Sequence, residues 1–190
     1  MILLWACSVG QGNGVMTGSV ADPFCEVDIP EYSLHPTFFS ADVVEERNMP
    51  EPMQRLTLRV QRGSYREGYS DGFVVFIRDA NELARSFLGV PLPLSTGDDA
   101  PVRMTIYMNE TCDSGFPQEF WQVPLVLPAI QGTITFDAIY APDLAPDNTE
   151  ITGHFEGALF QSEERPERMA MMDGSFSFFY QRGRPAQPFP

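Results

Sequence analysis

The sequence predicts an all-β domain, an antiparallel β-sandwich or partly open barrel of about eight or nine strands with one short helix near residues 79–89. Several segments alternate apolar and polar residues with the period of two expected of a strand that buries one face. Turn-forming residues separate them, since the 190-residue chain carries 15 Gly and 17 Pro. Only one segment has helical spacing.

A long hairpin near the end of the chain is the clearest strand pair. Its predicted strands are Ile151–Gln161 and residues 168–181, and the polar segment 162–167 joins them. One face of the pair is apolar, so we expect it to pack into the core. The predicted inward residues are Ile151, Phe155, Leu159, Phe176, Phe178 and Tyr180.

The other strands are predicted by shorter apolar or alternating segments. These segments are 24–29, 34–44, 55–61, 73–77, 102–108, 120–127 and 132–140. Pro30 should end the first of them, and Pro124 favours an edge position for its segment, because proline cannot donate to a strand ladder. The continuous apolar run 73–77 predicts a strand that is covered on both faces.

The predicted helix has recognisable ends. Asp79 is a favourable N-cap residue, and Glu82 follows three positions later as in a capping box. Leu83 and Phe87 begin an apolar stripe, and Gly89 is a typical stop.

The charge balance excludes some partners. The chain has 26 acidic side chains against 12 basic ones, a net charge of −14. This charge repels nucleic-acid phosphates and anionic lipid headgroups, so we expect no nucleic-acid partner. The sequence contains no apolar run of about 18 residues, so it predicts no membrane-spanning helix.

The first residues carry a lipidation motif. Leu4-Trp5-Ala6-Cys7 matches a lipobox, and a stretch of small residues, 8–14, follows it as a flexible tether. A complete signal has a basic segment and a longer apolar one, so we expect a truncated signal here. We therefore predict signal remnant, lipobox and tether over 1–23, one β domain over 24–182 and a Pro-rich tail over 183–190. The alternative is that 2–9 form an apolar strand.

The two remaining cysteines, Cys25 and Cys112, form an even remainder that predicts a disulfide in an exported protein. The loop that it closes is about 90 residues long, and chain entropy assigns it roughly 4–5 kcal/mol. The alternative is a pair of buried free thiols.

Motifs for catalysis are missing from the sequence. It has no nucleotide-binding loop, no GxSxG elbow and no HExxH motif. Thr152, His154 and Glu156 share one polar strand face, where acid–base or metal chemistry is an alternative to a solvated surface. We favour a protein that is not an enzyme.

Two surface segments are candidates for ligands. An oxygen-rich loop offers the ligand types that calcium prefers, although its prolines explain a loop without any ion. The candidate calcium ligands are Asp143, Asp147, Asn148 and Glu150. An aromatic set of Tyr65, Tyr69 and Trp121 is the candidate surface for a glycan or protein partner, with core packing as the alternative.

The lipobox, the acidic β domain and the closing patterns Gly-x-Phe-x-x-x-Leu (153–159) and Gly-Ser-Phe-x-Phe (174–178) resemble bacterial cell-envelope lipoproteins of unknown function. The resemblance implies export, removal of the residues before Cys7 and acyl chains such as palmitate on that cysteine. Ser8 is compatible with sorting to the outer membrane. The expected location is the outer membrane or the periplasm, with attachment through the lipid. The expected role is binding or scaffolding; the alternatives are an enzyme with an acidic cleft and a barrel that carries an apolar ligand.

Overall fold

Ten strands and one helix make up the part of the chain that the computed structural model describes, residues 12–23, 26–46, 53–63, 70–112 and 126–180. The first five strands are β1 (Gly12–Asp22), β2 (Val27–Leu34), β3 (Phe38–Glu46), β4 (Met53–Gln61) and β5 (Asp71–Ile77). The helix α1 (Ala80–Ser86) follows. The last five are β6 (Leu92–Pro93), β7 (Val102–Met108), β8 (Val126–Ala138), β9 (Glu150–Gln161) and β10 (Met169–Phe179).

The strands form one antiparallel sheet in the order β2-β1-β10-β9-β8-β7-β5-β4-β3, with β6 beside β8. This sheet curls into a half-barrel, which confirms the predicted all-β class in its partly open barrel form. Its two edge strands, β2 and β3, are joined by the short connection 35–37. The Tyr32 hydroxyl donates to Asp71 at 2.8 Å, and Arg62 donates to the Ser33 carbonyl at 3.0 Å. These bonds hold β2 close to strands from the other half of the sheet.

Aromatic side chains fill the concave side of the sheet. The Phe73 ring lies 5.4 Å from that of Phe155 and 5.8 Å from that of Phe176, and Phe39 lies 5.5 Å from Phe178. All five rings are buried. The inward positions predicted for Phe155, Phe176 and Phe178 are therefore confirmed, and so is that of Ile151.

The predicted N-cap of the helix is confirmed. Asp79 Oδ1 accepts from the backbone N–H of Asn81 at 2.9 Å and of Glu82 at 3.2 Å. The helix itself is short, seven residues, and Gly89 beyond it has a positive φ of 72°. The apolar stripe begins as expected, since Leu83 is buried.

The prediction for Leu159 was wrong because β9 contains an irregularity. Gly157 has a φ of 57°, and the pairing with β10 shifts register there. Inward positions are 151, 153 and 155 before this point and 158 and 160 after it. One added residue reverses the faces of a strand, so Leu159 lies on the convex side.

Two predicted boundaries near the start were also wrong. Residues 12–22 were assigned to the tether, yet they form β1, which pairs with β10 and buries Met16 and Val20. The β domain therefore begins at least twelve residues before the predicted position 24. Pro30 does not end its strand, because β2 is a sheet edge where a missing N–H is tolerated.

Candidate functional site

A buried carboxylate, Asp71, lies at the start of β5 and is the centre of a polar network. Its Oδ1 accepts from the backbone N–H groups of Glu110 at 2.9 Å and Thr111 at 3.0 Å. Its Oδ2 accepts from the hydroxyls of Tyr32 and Thr111. The side chain is fully buried, so these four donors replace its hydration. The network ties edge strand β2 to the turn that follows β7.

Two tyrosines beside this carboxylate are held in their neutral form. Burial raises the pKa of Tyr32 far above its usual range, and the charge of Asp71 and the hydrogen bond to it add to the effect. Burial also raises the pKa of Tyr107, whose hydroxyl donates to Gln61 at 2.7 Å. Both phenols are therefore hydrogen-bond donors at neutral pH rather than proton acceptors.

The chemistry of this network is structural. A general base needs a lone pair that a substrate can reach, whereas the Asp71 oxygens are buried and occupied by protein donors. What the network fixes is the turn at 109–112, where the N–H of Cys112 donates to the Met108 carbonyl at 3.0 Å. Cys112 is half-buried and packs against the core.

Sequence reasoning missed Asp71, because the strand was predicted to begin only at residue 73. A usable signal exists in the strand that follows. Counting back in steps of two from Ile77 and Phe73, Asp71 falls on the same inward face. A carboxylate at an inward position predicts a satisfied buried network, but not the identity of its donors.

His154 lies on an open strand surface. Its Nδ1 is 3.6 Å from Asp137 Oδ2, and both side chains are exposed. Thr152, predicted as its neighbour, bonds to Ser177 at 2.9 Å and to Glu150 at 3.1 Å. The polar face predicted for Thr152 and His154 is present, but these side chains do not converge on a pocket.

Two of the candidate calcium ligands, Asp143 and Asn148, bond to other parts of the protein. Asp143 Oδ2 accepts from Asn81 at 2.8 Å, which ties the loop to α1. Asn148 donates to the Ile139 carbonyl at 3.2 Å, and its side-chain oxygen accepts from the Glu150 N–H at 3.1 Å. Within the described ranges no three His, Cys, Asp or Glu side chains group closely enough to hold a metal ion. The structure therefore does not gather Asp143, Asp147, Asn148 and Glu150.

A small depression beside α1 brings carboxylates together with an arginine. Its volume is about 160 Å³, and its lining includes Arg78, Asp79, Glu82 and Asp99. Asp79 caps the helix, and Arg78 donates to the Asp99 carbonyl at 3.3 Å. The side chains of Asp79 and Arg78 are thus held by main-chain groups, and these contacts explain their positions without a ligand.

Several predicted site residues lie outside the described part of the chain. They are Cys7, Cys25, Tyr65, Tyr69 and Trp121. Within the described part, no helix has the length and apolar character needed to cross a bilayer.

Comparison with known proteins gives no match: no family model, no curated protein and no solved structure is similar to this chain.

Proposed function

We propose that this chain is an exported protein of the bacterial cell envelope, anchored by acyl chains on Cys7, whose half-barrel binds or scaffolds a partner. The observation that carries the binding role is the filled concave side of the sheet. The Phe73 ring contacts the rings of Phe155 and Phe176 there, with centroid separations below 6 Å. An apolar cargo would have to displace these rings, which disfavours the carrier alternative. The outer surface is left to meet a partner.

The contacts of the polar side chains favour binding over catalysis. The buried carboxylate Asp71 is saturated by four protein donors. The side chains of His154 and its neighbour Asp137 are exposed on the strand surface. An enzyme with an acidic cleft needs accessible acid and base groups that converge on one substrate position, and neither arrangement provides them.

The proposed disulfide between Cys25 and Cys112 fits the topology. Cys25 belongs to the connection between β1, which ends at Asp22, and β2, which starts at Val27. Cys112 follows β7, and the neighbouring Thr111 shares Asp71 with Tyr32 of β2. The β1–β2 hairpin and the turn after β7 are thus already linked by hydrogen bonds, and a disulfide would add a covalent link between them.

Fatty-acid labelling tests the anchor. The native gene is expressed in bacteria with radiolabelled palmitate, together with Cys7→Ala and, as a matched control, Cys112→Ala. We expect label on the wild type and on Cys112→Ala and none on Cys7→Ala. Equal labelling of Cys7→Ala and the wild type would remove the lipoprotein proposal.

Peptide mapping without reductant tests the disulfide on exported protein. We expect one linked peptide pair that contains Cys25 and Cys112. Recovery of both residues as alkylated free thiols contradicts the pairing and leaves the anchor proposal untouched.

A further inference from the structure

Apolar side chains form a patch on the convex face of β8, β9 and β10. Met171 is 56% exposed and Ile130 is 38% exposed, and exposed apolar side chains that form a contiguous patch often mark an interaction site. The outer patch consists of Val126, Pro128, Ile130, Leu159, Met169 and Met171.

The strand pairing joins Met171, Leu159 and Ile130 across the three strands, while Gln161 lies between Met169 and Pro128. Leu159 of β9 lies directly opposite Met171 of β10, a relation that brings side chains to about 5 Å. On the other side Leu159 pairs with Gln131, and the register shift between 129 and 131 leaves Ile130 outward beside it. The bulge at Gly157 is what turns Leu159 to this face. An irregularity in each of two neighbouring strands therefore helps to build the patch.

The dimensions of the outer patch suit one helix. Three neighbouring strands span about 10 Å, and the four steps from Val126 to Ile130 cover about 13 Å. An α-helix with its side chains is about 10 Å wide and rises about 5.4 Å per turn. Two to three helical turns would cover the patch.

The rim of the outer patch is acidic. Glu156 and Asp173 are exposed on the same strands, and Asp28 lies on the same face beyond Ala21, the partner of Met169. The β9–β10 turn adds Glu163, Glu164 and Glu167 against Arg165. Its second arginine, Arg168, is committed to the buried Asp22 at 2.8 Å. A partner with basic residues around an apolar centre complements this surface.

We propose that the outer patch is the docking site for a basic amphipathic helix of a partner protein. The proposal names the surface for the binding role proposed above and rests on that role, but it does not need the anchor at Cys7. A second copy of this chain is a poorer occupant, because a two-fold contact would place the acidic rims against each other. Methionines suit such a site, since their flexible side chains adapt to the facing helix.

A pair of synthetic peptides tests the proposal on the full chain. Each forms roughly five helical turns with the same leucine stripe, and its flanks carry either lysine or glutamate. Binding of the fluorescent peptides is measured by anisotropy at about 0.15 M salt. The variants are Met171→Asp and Ile130→Asp in the outer patch and Val44→Asp on β3. Val44 is a matched control, since it is 46% exposed and outside the patch.

The direction in which the affinity for the lysine peptide changes distinguishes docking on the outer patch from charge attraction alone. An added aspartate strengthens the attraction of an acidic protein for a lysine peptide, whereas it disrupts an apolar contact. We expect Met171→Asp and Ile130→Asp each to weaken binding of the lysine peptide by about tenfold or more, with Val44→Asp unchanged or tighter. Binding should survive in Met171→Leu.

Other outcomes overturn the docking proposal. Tighter binding of the lysine peptide by all three aspartate variants would mean charge attraction alone. Equal affinity for both peptides removes the role of the acidic rim. If the wild type is a dimer in sedimentation equilibrium and Met171→Asp is a monomer, the patch binds a second copy of the chain. If the wild type binds neutral phosphatidylcholine vesicles and Met171→Asp does not, the patch binds a lipid surface. Failure of fatty-acid labelling at Cys7 would leave a positive peptide result intact.

Discussion

Replacing Tyr32 by Phe should lower stability in the presence of Asp71 but not in its absence. In the wild type the Tyr32 hydroxyl donates to a buried carboxylate at 2.8 Å. A hydrogen bond to a charged group contributes about 1.5–3 kcal/mol. Phe keeps the ring and removes only the donor, so Tyr32→Phe should lower the free energy of unfolding by about 2 kcal/mol.

Asp71→Ala should cost more, because it removes the acceptor of four donors at once. The hydroxyls of Tyr32 and Thr111 and two backbone N–H groups lose this partner. The turn at 109–112 is partly exposed, so water can replace some of the bonds, and we expect a loss of about 3–5 kcal/mol. Once Asp71 is gone, the buried Tyr32 hydroxyl has lost its charged acceptor. Tyr32→Phe should then change stability by less than about 0.5 kcal/mol or raise it.

Urea unfolding of the wild type, both single variants and the double variant measures this coupling. The midpoints should shift with an unchanged slope, and the interaction free energy should be about 1.5–2.5 kcal/mol. An equal cost of Tyr32→Phe in both backgrounds would refute the reasoning, since it would mean that the hydroxyl does not depend on Asp71. A smaller loss for Asp71→Ala than for Tyr32→Phe would refute it as well.

Three further predictions concern other residues. Burial raises the pKa of Tyr107 above its unfolded value of about 10. The stability that the neutral phenol contributes is therefore complete below that pH and is lost as pH rises above it. The urea midpoint of the wild type should fall between pH 9 and about 11, and that of Tyr107→Phe should fall less steeply. Arg168→Ala removes the ion-pair partner that lies 2.8 Å from the fully buried carboxylate of Asp22 and should cost about 3 kcal/mol in urea unfolding. Gly132→Ala places a Cβ 2.6 Å from the backbone of Ala158 at a φ of 112°, so it should cost more than Gly157→Ala, where the space is open and only the left-handed φ costs about 1 kcal/mol.

Each of these predictions has an internal control. Asp98→Ala breaks the exposed ion pair with Arg103 and should leave the midpoint unchanged, in contrast to Arg168→Ala. A Tyr107→Phe slope equal to that of the wild type contradicts the alkaline prediction. Equal losses for the two glycine variants would show that the close approach to Ala158 relaxes without cost.

Local signals predicted most of the secondary structure. Asp79 predicts the start of its helix because an N-cap bonds to backbone groups within three residues. The alternation of apolar and polar residues predicts β4 and β7 because a half-buried strand has a period of two. Both effects depend on neighbours in the chain. They specify the elements without specifying which strands pair.

The features that sequence reasoning missed depend on an irregular strand or on distant residues. Leu159 changed faces because of one irregular residue, and nothing in the composition of β9 distinguishes Gly157 from the inward Gly153. The network of Asp71 joins groups that are 39 and 40 residues away in either direction. β1 was taken for a tether because its small residues pack against β10, a partner at the other end of the sequence. The outer patch follows only once such pairings are known.

The pairing of β1 with β10 constrains how the chain can be made. β1 pairs with β2 a few residues later in the chain, but its other neighbour, β10, is synthesised about 150 residues later. At 5–20 residues per second a ribosome needs roughly 7–30 s to reach β10. During that time the edge of β1 that later pairs with β10 is unpaired. It can then pair with strands of other chains, which is an aggregation hazard for a nascent polypeptide. Loss of a chaperone that shields nascent strands should therefore lower the soluble yield of this protein. The free energy of unfolding of the folded protein should stay the same.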